Sequence, residues 1–145
     1  MVKILVKTLK KKIKLPSYET AGSSGMDIMA YTEKKIIINP GKVALVPTGI
    51  AVAIPKNYEI QIRPRSGLAA KKAISVLNTP GTIDSDYRGE IKVILINLSN
   101  RSFAVNSGDR IAQMVICPVT KVKFKRVPNL PKTLRGKGGF GSTGK

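Results

Sequence analysis

The sequence predicts an all-β domain, a sandwich or a barrel, because short apolar or alternating runs recur along it and residues with turn chemistry separate them. A period of two buries one face of a pleated strand, whereas a helix needs apolar positions three and four apart. On this basis 2–9, 35–38, 43–46, 58–63, 91–98 and 121–127 are expected to be strands. The separators are Asn39-Pro40-Gly41, Pro47, Pro55-Lys56-Asn57, Asn78 to Gly81, and Asn106-Ser107-Gly108. Many short strands at such spacing fit an all-β sandwich or barrel.

Only SGLAAKK, 66–72, has local helix preference, and about two turns of helix need tertiary packing to persist. After Pro128 the density of Gly, Pro and Lys rises, so 128–145 is expected to be a mobile arm following a domain at 1–127. There is no internal repeat. At 145 residues the chain fits one domain with a real core.

A single cysteine, Cys117, excludes an internal disulfide, and its apolar run from Met114 to Val119 predicts a buried thiol in a reducing compartment. No apolar stretch has the length of about 18 residues that a membrane span needs, and the lysine-interrupted N-terminus lacks the apolar core of a secretory signal. A cytoplasmic location is expected.

The 26 basic and 8 acidic side chains give a net charge of +18. Such a field attracts any polyanion, so it selects the sign of a partner and not its identity, and weak non-specific nucleic-acid binding is an expected consequence. Four tyrosines, three phenylalanines and no tryptophan provide few stacking platforms for a dedicated nucleic-acid binder. The acids are more informative: Asp84, Asp86 and Glu90 fall within seven residues, and Asp27 sits among glycines. Two readings are open, a turn that uses aspartate for local hydrogen bonds and a carboxylate needed for base or metal work. The chain has no histidine, so a general base would be a carboxylate.

Five segments then stand in order: AGSSGMDIMAY (21–31), PRSGLAAK (64–71), NTPGTIDSDYRGE (78–90), RIAQM (110–114) and RGKGGFGSTG (135–144). Their order and spacing resemble the five motifs of the trimeric dUTP diphosphatases along essentially the whole chain. Ser24 and Met26 depart from the alanine and leucine common there, without removing a group the chemistry needs. The resemblance implies a jelly-roll-like β-barrel protomer in a homotrimer, with each active site shared by three chains. One chain brings the first, second and fourth motifs, another the third, and the remaining one its tail. The implied reaction is magnesium-dependent hydrolysis of dUTP to dUMP and diphosphate, with magnesium held mainly by triphosphate and water and not by protein ligands.

Carried over residue by residue, the resemblance makes Asp84 the catalytic base that directs water at the α-phosphorus. Asn78, Gly81 and Thr82 belong to a uracil-binding hairpin, and Ile83 and Tyr87 pack on the deoxyribose and exclude a 2'-hydroxyl. Taken alone, each of these fits ordinary hairpin packing equally well. Arg65, Ser66, Gly67 and Gln113 contact the phosphates, although Ser66 would also suit a plain helix N-cap. Asp27 has a supporting role, through water on magnesium or by holding an arginine, and Arg110 a structural one. In the tail, Arg135 and the backbone of Gly139, Gly141, Ser142 and Thr143 wrap the γ-phosphate while Phe140 stacks on uracil. Residues 139–145 also fit the first seven positions of a Walker A loop, but no strand plainly leads into them and no helix follows, so that match is rejected. A dCTP deaminase shares the fold and is the enzymatic alternative, disfavoured by the complete third and fifth segments.

Overall fold

A computed structural model describes residues 2–141. Ten strands and one helix follow in the order β1 (Leu5–Thr8), β2 (Met26–Met29), β3 (Ile36–Ile38), β4 (Val43–Ala53), β5 (Tyr58–Arg63), α1 (Ser66–Lys72), β6 (Ile74–Val76), β7 (Gly81–Ile83), β8 (Glu90–Asn97), β9 (Phe103–Val105) and β10 (Arg110–Pro118). The all-β expectation holds, and the short helix spans the predicted residues. The barrel does not close. Hydrogen bonding forms two open four-stranded sheets, β1-β4-β8-β6 and β2-β10-β5-β7, with β3-β9 as a separate pair.

The two larger sheets share one core. Ile28, Ile60, Ile62, Ile111 and Met114 come from one, and Val46, Ile50, Val52, Ile74, Ile91, Val93 and Leu95 from the other. In β8 alternation is strict, with Ile91, Val93 and Leu95 buried between more exposed neighbours. β2, β6, β7 and β9 escape sequence periodicity because three or four residues hardly complete two periods. β10 escapes it because Ile111 and Ala112 are both buried, the pairing with β2 being shifted between Arg110 and Ala112.

Two expectations at the ends of strands are corrected. Pro47 does not end β4, which runs on to Ala53 through a register shift between Pro47 and Ala51. The shift absorbs the missing proline donor. Gly49 takes a φ of +70° there, its N–H donates to Glu90 Oε1 at 2.9 Å, and the Thr48 hydroxyl donates to the Ile91 carbonyl. By contrast, 121–127 forms no strand, although Val122, Phe124 and the intervening lysines alternate. Val122 is 71% and Phe124 94% exposed. Period two identifies the two faces of an extended segment, but a strand must also reach an edge and pair with it, and this segment pairs with none among the described residues.

Cys117 is half-buried, not buried. It shares the outer side of β10 with Gln113 and Val115, opposite Met114. Nor is Ser66 an N-cap: Arg65 occupies that position, with no side-chain cap bond, and Ser66 is the first helical residue. α1 ends at Lys72; the Ala73 N–H still donates to the Ala69 carbonyl at 3.1 Å, and the left-handed φ of 52° at Ala73 then turns the chain out of the helix.

Asn97 ties the end of β8 to its surroundings. Its buried amide donates to the carbonyls of Ile38 at 2.8 Å and Arg101 at 2.7 Å, and its carbonyl accepts from the Ser99 N–H and hydroxyl. Asn97→Leu keeps the branched shape but leaves two main-chain carbonyls without that donor. A loss of about 2–4 kcal/mol in urea unfolding is expected, larger than for a surface Asn→Leu change.

Candidate active site

The predicted residues gather in two places. The first is built on the outer side of β10. Strand register sets Gln113 opposite Asp27 of β2 and opposite Arg63 of β5. Three residues past the end of β5 the chain has entered α1, so Arg65 returns toward Asp27. Its Nε donates to Asp27 Oδ1 at 2.8 Å, its Nη2 to Oδ2 at 3.2 Å, and its Nη1 to the Arg110 carbonyl at 3.3 Å. Arg110 adds a contact from Nη1 to Asp27 Oδ2 at 3.2 Å. One carboxylate, only 16% exposed, therefore holds two guanidinium groups together. Three of the five Arg65 N–H donors are engaged, which fixes the planar group and leaves the other two for an anion.

Gln113 is fixed as tightly. Its Nε2 donates to the Pro64 carbonyl at 2.9 Å, and its Oε1 fills the space a Cβ would need at Gly25. Ser66 and Gly67 lie exposed at the start of α1, with nothing crowding Gly67. The cluster of Arg65, Ser66, Gly67 and Gln113 presents cationic and neutral donors on a rigid base.

The second place is the β7 hairpin and the turn after it. The connection from β6 contains a cis Thr79–Pro80 peptide bond. There the Asn78 side chain folds over buried Gly81, where an added Cβ would come within 3.2 Å of its Nδ2. Asp84 follows β7 and is exposed. The Tyr87 N–H donates to the Asp84 carbonyl at 3.2 Å, which ties the tyrosine to the aspartate backbone. Thr82, Ile83, Asp84, Tyr87 and Glu90 line an open groove of about 360 Å³, completed by residues of β4 and β8. Asp86 faces a neighbouring hollow with Glu59 and Lys121.

One chain does not bring these two places together. β7 and β10 flank β5, and Ile83 pairs with Ile60 whereas Gln113 pairs with Arg63. Two interstrand spacings and three residues of offset separate Ile83 from Gln113 by about 14 Å, with Asp84 one residue further. Residues 11–144 match the dUTPase family. The chain belongs to that family.

A deoxyuridine 5'-triphosphate nucleotidohydrolase from Hydrogenobaculum sp. is 55% identical over 143 residues, covering 99% of both sequences. Among solved structures, a mutant dUTPase of Staphylococcus bacteriophage 80alpha with dUpNHpp is similar at a TM-score of 0.88 and 25% identity, again over 99% of both chains. A mutant dUTPase from phage phi11 of S. aureus, in which a structural Mg(II) ion is coordinated, has a TM-score of 0.80 over 90% of this chain and 99% of its own. At 22% identity that likeness is one of fold.

In this chain no hydrogen bond of the described tail residues reaches either place. Arg135 Nε donates to the Gly138 carbonyl at 2.9 Å, Gly136 and Gly141 take φ values of +50° and +86°, and Phe140 is fully exposed with Gly139 beside it. Ser142 and Thr143 lie outside the described residues. Sequence reasoning missed Gly25 and Gly89, whose part is to leave space, and of its two readings for Glu90 the structure shows the one that holds backbone. A glycine two residues before Asp27 was visible, but only tertiary contact reveals what fills it.

Asp27→Ala leaves two guanidinium groups side by side without their counter-charge. Because the pair is partly screened, a loss of about 1–2 kcal/mol in urea unfolding is expected, with the deficit smaller in high salt. An unchanged midpoint would show that the carboxylate does not hold the arginines.

Proposed function

We propose that the chain hydrolyses dUTP to dUMP and diphosphate in a homotrimer whose active sites are shared between subunits. What supports this reading is that the groove rimmed by Asp84 and the cluster of Arg65 and Gln113 carry the groups the reaction needs, yet stand on β7 and β10 with β5 between them in one chain. Juxtaposing the cradle of one subunit with the groove of another removes the gap. The exposed apolar side chains of 119–141, Val122, Phe124, Leu130 and Leu134, support an arm that leaves its own domain to lie against a neighbour. On this reading 1–127 is the domain and 128–145 the arm that closes on the nucleotide.

The Asn78–Gly81 hairpin presents amide groups to the uracil edge. Ile83 and Tyr87 pack on the deoxyribose, so a 2'-hydroxyl meets a wall with no partner, a large penalty for UTP. Asp84 accepts a proton from a water positioned at the α-phosphorus. Arg65, Ser66, Gly67 and Gln113 hold the phosphates and stabilise the charge that develops as diphosphate leaves. Arg135 and the backbone around Gly139, Gly141, Ser142 and Thr143 enclose the γ-phosphate, with Phe140 on the base, which excludes bulk water.

Among the described residues no three His, Cys, Asp or Glu side chains lie close enough to hold a metal ion. The donor set suits magnesium carried on the triphosphate, with exposed Asp84 as the nearby carboxylate. Bound there, magnesium screens the phosphate charge. No helix among the described residues is long and apolar enough to cross a membrane, and a cytoplasmic setting fits a nucleotide substrate.

Diphosphate release measured with dUTP, dTTP, dCTP and UTP is expected only with dUTP, and ammonia should not be released from dCTP. Equal turnover of all four would reject the assignment. Asp84→Asn should lower kcat by at least about a hundredfold while the trimer persists. Mixing Asp84→Asn with Ser66→Ala subunits tests the shared site: each homotrimer is impaired, but hybrids pair an intact Ser66 with an intact Asp84. Recovered activity is expected, and its absence in verified hybrids would place both residues in one chain's site.

A further inference from the structure

We propose that Gly89 is a positioning residue for nucleotide selection: its missing side chain is the seat on which the hydroxyl end of Tyr87 rests. This rests on the dUTP-hydrolysing reading above. The Tyr87 hydroxyl donates to the main-chain carbonyl of Glu90 at 2.9 Å. A Cβ at Gly89 would overlap the hydroxyl and the ring carbon that bears it, and would come within 3.0 Å of the adjacent Cε2. The ring thus lies across Gly89, two residues along its own chain. The Gly89 backbone is not in the left-handed region, so what glycine supplies there is space and not an unusual φ.

The acceptor at the far end is rigid. Glu90 pairs with Ala51 at the start of β8, and its side chain reaches back to the Gly49 N–H inside the β4 register shift at 2.9 Å, with Lys92 Nζ 4.0 Å from its other oxygen. At the near end the Tyr87 N–H is held by the Asp84 carbonyl. The ring is therefore clamped between the turn that carries Asp84 and a strand of the other sheet, while 43% of the residue remains exposed toward the groove. A flat ring held at both ends can discriminate against one extra hydroxyl, whereas a ring free to rotate would yield to it. Ile83, the other wall of the sugar space, has no such support and relies on β7 pairing.

The test compares kcat/KM for dUTP and UTP in the full-length trimer of the wild type, Gly89→Ala, Tyr87→Ala and the double variant, with urea unfolding of each. Gly89→Ala is expected to narrow the preference for dUTP over UTP by about tenfold or more, and to add nothing to that narrowing in the Tyr87→Ala background, because it acts through the ring. Tyr87→Phe, which leaves position 89 untouched and removes the hydrogen bond to Glu90, is expected to narrow the preference as well; it decides the matter should Gly89→Ala not fold. A wild-type dUTP preference that survives in Gly89→Ala, or in Tyr87→Phe, overturns the inference while leaving the hydrolysis of dUTP intact. Equal narrowing by Gly89→Ala with and without Tyr87 overturns it too. A wild-type enzyme with no preference for dUTP overturns this inference and the functional reading together.

Discussion

The register of β10 is the constraint on which the cradle depends. This strand is hydrogen-bonded on both sides, to β2 and to β5, so neither neighbour can slide without breaking a ladder. Side chains alternate, and a slip of one residue would turn Gln113 into the core and Met114 outward. Because Met114 is buried against both sheets, burial fixes the same register that hydrogen bonding does. Asp27, Gln113 and the start of α1 are neighbours as a consequence, although they are far apart in sequence.

On that rigid base few acids do a great deal. Asp27 neutralises two arginines, Glu90 completes the β4 register shift, Glu59 accepts from Gln61, and Asp109 accepts the Asn106 N–H in the turn before β10. Each of these four carboxylates has a partner within the chain that it orders. Asp84 differs from these four in being exposed at the rim of a groove, where it is open to water.

The open sheets bear on function as well. A closed barrel would complete its hydrogen bonding within one chain, whereas here β1, β6, β2 and β7 are edges. β1 is exposed along its whole length, and so are the side chains of Val122, Phe124, Leu130 and Leu134. Such surface is a liability in a lone protomer and an asset in an assembly. The proposed trimer would cover it and would bring Asp84 of one subunit to the Arg65 cluster of another.

The sequence by itself determined the fold class, the helix at 66–72, the strand at 58–63, and the five segments that identify the family. These are local properties: periodicity, turn chemistry and motif spacing are legible in any short window. It misjudged Pro47, Cys117 and 121–127, because a proline can sit in a register shift, a thiol's burial depends on which side of its strand faces the core, and an alternating segment becomes a strand only where an edge accepts it. The tertiary structure alone decided that Asp27 grips Arg65 and Arg110, that Gly25 makes room for Gln113 and Gly89 for Tyr87, and that the cradle and the groove stand apart in one chain. The physical reason is common to all of these: each depends on which distant backbone segments lie side by side, and strand pairing sets that only when the whole chain has folded.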